Sequence, residues 1–189
     1  MELKDTIVRF SDKDSRIALC VPRDDEEAII NYIKWMSDSD SLRMIGSQKR
    51  ISNVETVKKY LEFQNNDTWI FNMVLKENNV LLGNCDITRL SNTAASLGIY
   101  IGPKEYRNLG YGKEVIKLLL KYCFEELGMH RVELTVNSEN EIAKHCYSAC
   151  GFKKCGTERE VSWYAGKWHD IDRMDILDRE YFEAKRSVS

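Results

Sequence analysis

The stretch that most constrains this chain is Arg107-Asn108-Leu109-Gly110-Tyr111-Gly112-Lys113, which joins a strand-like run, Leu97 to Ile101, to a helix-like run, Tyr111 to Leu127. A strand that turns into a helix through glycines points to a mixed fold with helices laid on a sheet. The same turn carries chemistry. Gly110 and Gly112 put no Cβ between backbone and ligand, and both tolerate positive φ. The first N–H groups of the following helix have no intrahelical partner. With the positive end of the helix dipole they make an anion site. Arg107 and Lys113 add positive charge at the two ends of the loop. A plain tight turn also accounts for two such glycines. A P-loop, however, needs glycine where Arg107 stands and a hydroxyl where Glu114 stands. A dinucleotide fingerprint needs a small residue where Val115 stands. A nucleoside triphosphate and a nicotinamide dinucleotide are therefore disfavoured as ligands.

The second informative stretch is Asn140-x-x-Ala143-x-x-x-Tyr147-x-x-x-Gly151-Phe152. On a helix, positions 140 and 147 are close to two turns apart and share a face about 10 Å long. Ala143 lies on that face and leaves room for a thin ligand. Gly151 follows as a C-terminal capping glycine, and Phe152 starts the next apolar strand. Read singly, Asn140 is a favoured N-cap and Tyr147 an amphipathic core residue. The spacing of the whole set points instead to a ligand-facing surface.

Taken together, the two stretches resemble the GNAT superfamily of acetyl-CoA-dependent N-acetyltransferases. The superfamily's pyrophosphate loop, Arg/Gln-x-x-Gly-x-Gly/Ala, is matched by Arg107, Gly110 and Gly112. Its later motif is matched at every fixed position from Asn140 to Phe152. The resemblance covers residues 16–178. Trp35-Met36-Ser37-Asp38 and the stretch with Gly166-Lys167, Asp172 and Met174 also resemble the branch that acetylates ribosomal-protein N-termini and polyamines. The resemblance implies an α+β fold with a mixed, mostly antiparallel central sheet flanked by helices. It further implies that backbone groups of Ile99, Tyr100 and Ile101 hold the pantetheine arm and polarise the thioester. Arg107, Asn108, Leu109, Gly110, Tyr111, Gly112 and Lys113 would bind the pyrophosphate, with Asn140 and Ala143 as further contacts. Tyr147 would be the general acid for the leaving sulfur.

Acetyl transfer to an amine also needs a base, because an alkylammonium of pKa ~10 has no lone pair with which to attack. Many relatives carry Glu just before the Gly-Ile-Tyr-Ile run, where this chain has Ser96. Ser96 alone is no base, though it can order a water. Asp86, in the preceding strand, is another candidate, and it also reads as a solvated strand-end carboxylate. A peptide N-terminus, with a pKa of ~7.7 to 8.0, has little need of a strong base and is slightly favoured over a polyamine. Asp24, Asp25, Glu26, Glu27, Asp38 and Asp40 flank the first helix and either draw a cation or simply complement the helix dipole. The reading is an N-acetyltransferase whose partners are acetyl-CoA and a primary amine: a protein N-terminus, a polyamine or an aminoglycoside. The alternative is a non-catalytic acyl-CoA-binding module with a degenerate site.

The bulk properties agree. A chain of 189 residues, 43% hydrophobic, buries one good core. The expected division is an N-terminal extension (1–15), an N-acetyltransferase domain (16–178) and a C-terminal tail (179–189). A net charge of −2 without a basic stripe argues against nucleic acid. The apolar runs are too short to span a bilayer, and the first residues lack the apolar core of a secretion signal. A cytoplasmic protein is expected. A homodimer is carried as an expectation. Cys20, Cys85, Cys123 and Cys146 sit in or beside apolar runs, as small hydrophobes do. Cys146, Cys150 and Cys155 lack zinc-ligand spacing, so no metal is expected. The predicted elements are strands at Ile17 to Val21, Trp69 to Leu75, Val80 to Thr88, Ala95 to Ile101, Arg131 to Val136, Glu158 to Trp163 and Trp168 to Leu177. Helices are predicted at Asp24 to Met36, Val54 to Gln64, Tyr111 to Leu127 and from Asn140.

Overall fold

The structure, a computed structural model, describes residues 8–44, 53–61 and 67–187. These form one sheet in the order β1-β2-β3-β4-β5-β6-β8-β7. The strands are β1 Val8–Ser11, β2 Ile17–Cys20, β3 Thr68–Leu75, β4 Leu81–Arg89, β5 Ala94–Ile101, β6 Arg131–Asn137, β7 Lys153–Tyr164 and β8 Lys167–Leu177. Every neighbouring pair is antiparallel except β5 and β6. The helices are α1 Glu26–Ser37, α2 Ser39–Met44, α3 Val54–Leu61, α4 Tyr111–Lys121, α5 Glu141–Ser148 and α6 Asp178–Arg186. The mixed, mostly antiparallel sheet flanked by helices is the expected fold class. Among the described residues, no helix is long and apolar enough to cross a membrane.

Strand side chains alternate between the two faces of a sheet, and each face buries its own cluster. On one face, Ile116, Leu119 and Leu120 of α4 pack with Leu82, Ile87, Val132 and Leu134. A fully buried side chain of this size contributes about 1.5–3 kcal/mol. On the other face, Ala28, Tyr32 and Trp35 of α1 and Val57 and Leu61 of α3 pack with Ala18, Cys20 and Val74. Asp25 caps α1 by accepting from the Ala28 N–H at 3.0 Å, which starts that helix two residues later than the acidic run suggests.

The pairing of β5 with β6 is the feature that shapes the site. It covers only Ala94 with Arg131, Ala95 with Val132 and Ser96 with Glu133. Beyond that point β6 continues along β8 as far as Asn137 with Ile171, while β5 continues along β4 as far as Ile101 with Gly83. The sheet therefore splits, and residues 97–101 have no strand partner on their β6 side.

Several elements differ from the sequence expectation. Val8–Ser11, within the stretch read as an extension, pairs with β2. Residues 62–64 of the expected second helix lie outside the described residues. The helix after the glycine loop ends in a π-helical turn, Tyr122–Glu126, with Leu127 N–H donating to the Tyr122 carbonyl. The strand from Phe152 and the strand from Glu158 are one strand, β7, interrupted by irregular register. The C-terminal stretch forms α6, held by a Tyr181 hydroxyl donating to Glu125 at 2.5 Å and by a Lys153–Glu180 ion pair at 2.6 Å.

Candidate active site

The loop predicted to bind an anion has the geometry for it. Gly110 is the residue before α4 and is left-handed, with φ of 87°. That conformation costs an ordinary L-residue roughly 1–2 kcal/mol. Asn108, just before, is also at positive φ. The first intrahelical bond is from Glu114 N–H to the Gly110 carbonyl at 3.2 Å. The N–H groups of Tyr111, Gly112 and Lys113 thus have no backbone partner among the described residues. Asn108, Leu109, Gly110 and Lys113 are exposed, so these donors stand at an open helix start with the positive dipole end.

The cations are arranged otherwise than the loop sequence suggests. Arg107 turns inward: its guanidinium donates to the Ile101 carbonyl at 3.0 Å, the Gly102 carbonyl at 2.7 Å and the Ser41 hydroxyl at 3.0 Å. It fixes the end of β5 to the loop. The cation beside the loop is Arg16, from the start of β2. It donates to the Leu109 carbonyl at 2.9 Å, pairs with Glu114 at 2.6 Å and lies 4.2 Å from the centroid of the Tyr111 ring. No spacing in the sequence links residue 16 to this loop.

The second motif forms α5 as expected. Asn140 caps it, accepting from the Ala143 N–H at 3.1 Å. The helix closes with Gly151 N–H donating to the Ser148 carbonyl at 3.0 Å and Phe152 N–H to the Tyr147 carbonyl at 3.1 Å. Ala143 is half-buried, and Tyr147 is 9% exposed, its ring 6.2 Å from that of Phe152. Burial, then the neighbouring Cys146 and Cys150, pushes the Tyr147 phenol above its ordinary range. No hydrogen bond to its hydroxyl is present among the described residues. α5 meets α4 at Gly112, where an added Cβ would lie 3.6 Å from Cys146 Sγ. Cys146 is half-buried, unlike Cys20, Cys85 and Cys123. The neighbouring Cys150 and then the charge of Lys113 lower its thiol below the ordinary cysteine range. Among the described residues, no group of three or more His, Cys, Asp or Glu side chains is placed to hold a metal.

On the opposite face of the sheet is a cavity of about 210 Å³, lined by Tyr32 and Met36 of α1, Val57 and Tyr60 of α3, and Asn84, Asp86, Ile99 and Tyr100 of β4 and β5. Asp86 is paired across the strands with Gly98. The lack of a side chain at Gly98 is what lets the carboxylate lie there, since an added Cβ would stand 2.1 Å from Asp86 Oδ2. Burial raises the Asp86 carboxyl to about 6, partly offset by a hydrogen bond with Thr88. Asp86 is thus not the solvated strand-end carboxylate that the sequence also allowed. Ser96 lies opposite Thr88, on the same face as Gly98 and Tyr100, and does not line the cavity. Four of the acids around α1 are engaged elsewhere. Asp25 and Glu27 pair with Arg23 at 2.7 and 3.2 Å, and Asp38 and Asp40 each pair with Lys104 at 3.0 Å.

A split strand pair thus leads into a helix start with open amides, and the sequence matches the acetyltransferase (GNAT) domain family over residues 16–153. The chain belongs to the GNAT acetyltransferase family. Over 88 residues it is 35% identical to the spermidine N(1)-acetyltransferase of Vibrio cholerae, a match covering 47% of this chain and 50% of that one. An uncharacterised N-acetyltransferase of Bacillus licheniformis is 26% identical over 113 residues, 59% of this chain and 63% of that protein. The chain thus spans half the length of the first of these relatives and less than two thirds of the second. The crystal structure of the Vibrio cholerae spermidine N-acetyltransferase in complex with CoA and spermine superposes with a TM-score of 0.77 at 21% identity, covering 89% of this chain and 99% of that one. That likeness is one of fold. The GNAT family accounts for the helix start and for α5.

Proposed function

We propose that this GNAT protein is an acetyl-CoA-dependent N-acetyltransferase that acts on a primary amine. The observation that carries the reading is the gap between β5 and β6, which ends at the open amides of α4. Asp86 stands in a cavity on one face of the sheet, and Tyr147 is buried in the cluster on the other. The activity of the Vibrio relative, spermidine acetylation, supports an amine acceptor.

The residues fit acetyl-CoA. The amides of Tyr111, Gly112 and Lys113, with the Lys113 ammonium, suit its pyrophosphate. The β6-facing edge of residues 97–101 offers backbone groups to the amides of the pantetheine arm, with the Ile101 carbonyl already committed to Arg107. Acetyl-CoA supplies the acetyl group in activated form, as a thioester. Asp86 accepts the proton of the incoming ammonium. With a pKa of about 6 it is ionised at neutral pH yet more basic than an ordinary aspartate. The raised pKa of Tyr147 keeps its hydroxyl protonated, so it can give a proton to the departing sulfur.

Release of CoA thiol on adding primary amines, with the acetylated amine seen by mass spectrometry, tests the reading. The expected result is amine-dependent thiol release. Tight binding of acetyl-CoA without release for any amine would instead leave a binding module.

A further inference from the structure

We infer that the cavity around Asp86 selects a monocationic primary amine with an apolar or aromatic body, and disfavours polyamines. The inference rests on the acetyl-transfer reading of the same site. Asp86 is the one carboxylate among the described residues that line this cavity. It can neutralise one ammonium. A second ammonium held in the same walls has no partner there, and a charge removed from water without a partner is costly.

The walls suit an apolar body. Each of the three tyrosine hydroxyls has a hydrogen-bond partner in the protein, and those of Tyr32 and Tyr60, which accept, keep an O–H that an ammonium, itself a donor, cannot use. Tyr32 accepts from the Asn72 amide at 2.7 Å, Tyr60 accepts from the Asn84 amide, and Tyr100 donates to the Trp35 carbonyl at 3.1 Å. Beyond these hydroxyls, what the side chains offer a guest is ring surface, joined by Met36 and Val57. Rings of this kind attract one cation through their faces and bury hydrocarbon well. At about 210 Å³ the cavity is smaller than the ≈ 300–1,000 Å³ of sites for drug-sized ligands, so it suits a short amine.

The surroundings do not make up for the missing carboxylate. The larger cavity by α1 and residues 102–106 has Lys34 and Lys104 in its wall beside Asp38 and Glu105, and Asp38 is already bonded to Lys104. Asp25, Glu27 and Asp40 are likewise paired with cations. Among the described residues that line the two cavities, a chain of several ammonium groups therefore finds one carboxylate at its reacting end and, beyond it, as many cations as acids.

Heptylamine and hexamethylenediamine test this, since they match in length and differ in the terminal methyl or ammonium. Phenethylamine and spermidine extend the pair. With the full chain and saturating acetyl-CoA, kcat/KM for heptylamine and phenethylamine should exceed that for the diamine and spermidine by about tenfold or more. Met36→Glu, which adds a carboxylate to the cavity wall, should shift the ratio toward the diamine by about tenfold. Equal or better turnover of spermidine by the wild-type chain overturns the inference and leaves the acetyltransferase reading intact. An unchanged ratio in Met36→Glu overturns it as well, because the cavity is then not where the amine sits. Turnover of none of the four amines overturns the acetyl-transfer reading and this inference with it.

Discussion

The helix start at Gly110 offers a ligand mainly backbone amides from one run of sequence, whereas the cavity around Asp86 offers side chains drawn from α1, α3, β4 and β5. The first arrangement tolerates much side-chain change, because a ligand held by N–H groups depends on φ and ψ. Asn108 and Leu109 are exposed and carry no burden of packing. The second arrangement depends on each residue. Asp86 keeps its place because Gly98 has no side chain, and its raised pKa because it is largely buried. In the proposed function the first side would hold a part that all acetyl-CoA enzymes share, and the second would decide which amine is taken.

The largest effects should come from the two proton-handling groups, one on each side. Asp86→Asn removes the base and should lower turnover of an ordinary alkylamine by about 10²–10⁴-fold, with acetyl-CoA affinity unchanged by calorimetry. Tyr147→Phe should slow the chemical step on the same scale of about 10²–10⁴-fold. It keeps the ring that packs on Phe152. With the phenol at the ordinary pKa of ~10, the rate would fall on approaching that pH. Burial pushes the phenol higher, so the wild-type rate should hold through pH ~10. Full activity in either variant, with chemistry limiting, would remove that residue from the account.

Gly98→Ala comes next. It adds no charge and removes none, yet the new methyl takes the space of Asp86 Oδ2. A displaced base of this kind costs about 10²-fold, and amine turnover should fall without loss of acetyl-CoA binding. If Gly98→Ala binds and turns over both substrates normally, Asp86 does not need its present position.

The smallest effects separate the two glycines of the loop. Gly110→Val forces a branched side chain into a left-handed conformation, at a cost of roughly 1–2 kcal/mol. That corresponds to about 5- to 30-fold weaker acetyl-CoA binding. Gly112→Ala should bind nearly as well, because its Cβ meets Cys146 Sγ at 3.6 Å, an ordinary contact. The sequence treats the two glycines as equivalents, while the structure gives one a conformational role and the other a place in the α4–α5 packing. Equal losses in both variants would restore their equivalence.

The same contrast explains what the sequence could reveal. Gly110 and Gly112 lie together before one helix, and Asn140, Tyr147 and Gly151 lie close together at spacings set by helix geometry, so the loop and α5 could be read directly. Seven of the eight strands were legible from alternation, and the fold class from their order. Arg16 beside the loop was not legible, because only the pairing of β2 within the sheet brings it to Glu114. The inward turn of Arg107 was hidden for a similar reason: its acceptors are carbonyls and Ser41. Asp86 was visible only as one candidate, since Gly98 and the tyrosines at 32, 60 and 100 reach it through tertiary contacts. The helices α2 and α6 are short and polar, with no apolar stripe to announce them. The branch-level resemblance points toward polyamines as well as N-termini, and the one carboxylate among the described residues lining the cavity is what motivates the inference toward a monoamine.

The dependence of amine kcat/KM on pH, in the wild-type chain and in Asp86→Asn, tests the central claim most directly. A carboxyl raised to about 6 is protonated below that pH and cannot serve as a base. The wild-type rate should therefore rise with pH through about 6 and then level, well below the pKa of ~10 of an alkylammonium. In Asp86→Asn that limb should vanish, and the remaining rate should keep rising with the fraction of free amine. A wild-type rate that climbs steadily to the amine's own pKa, with the variant tracing the same curve, would contradict the account.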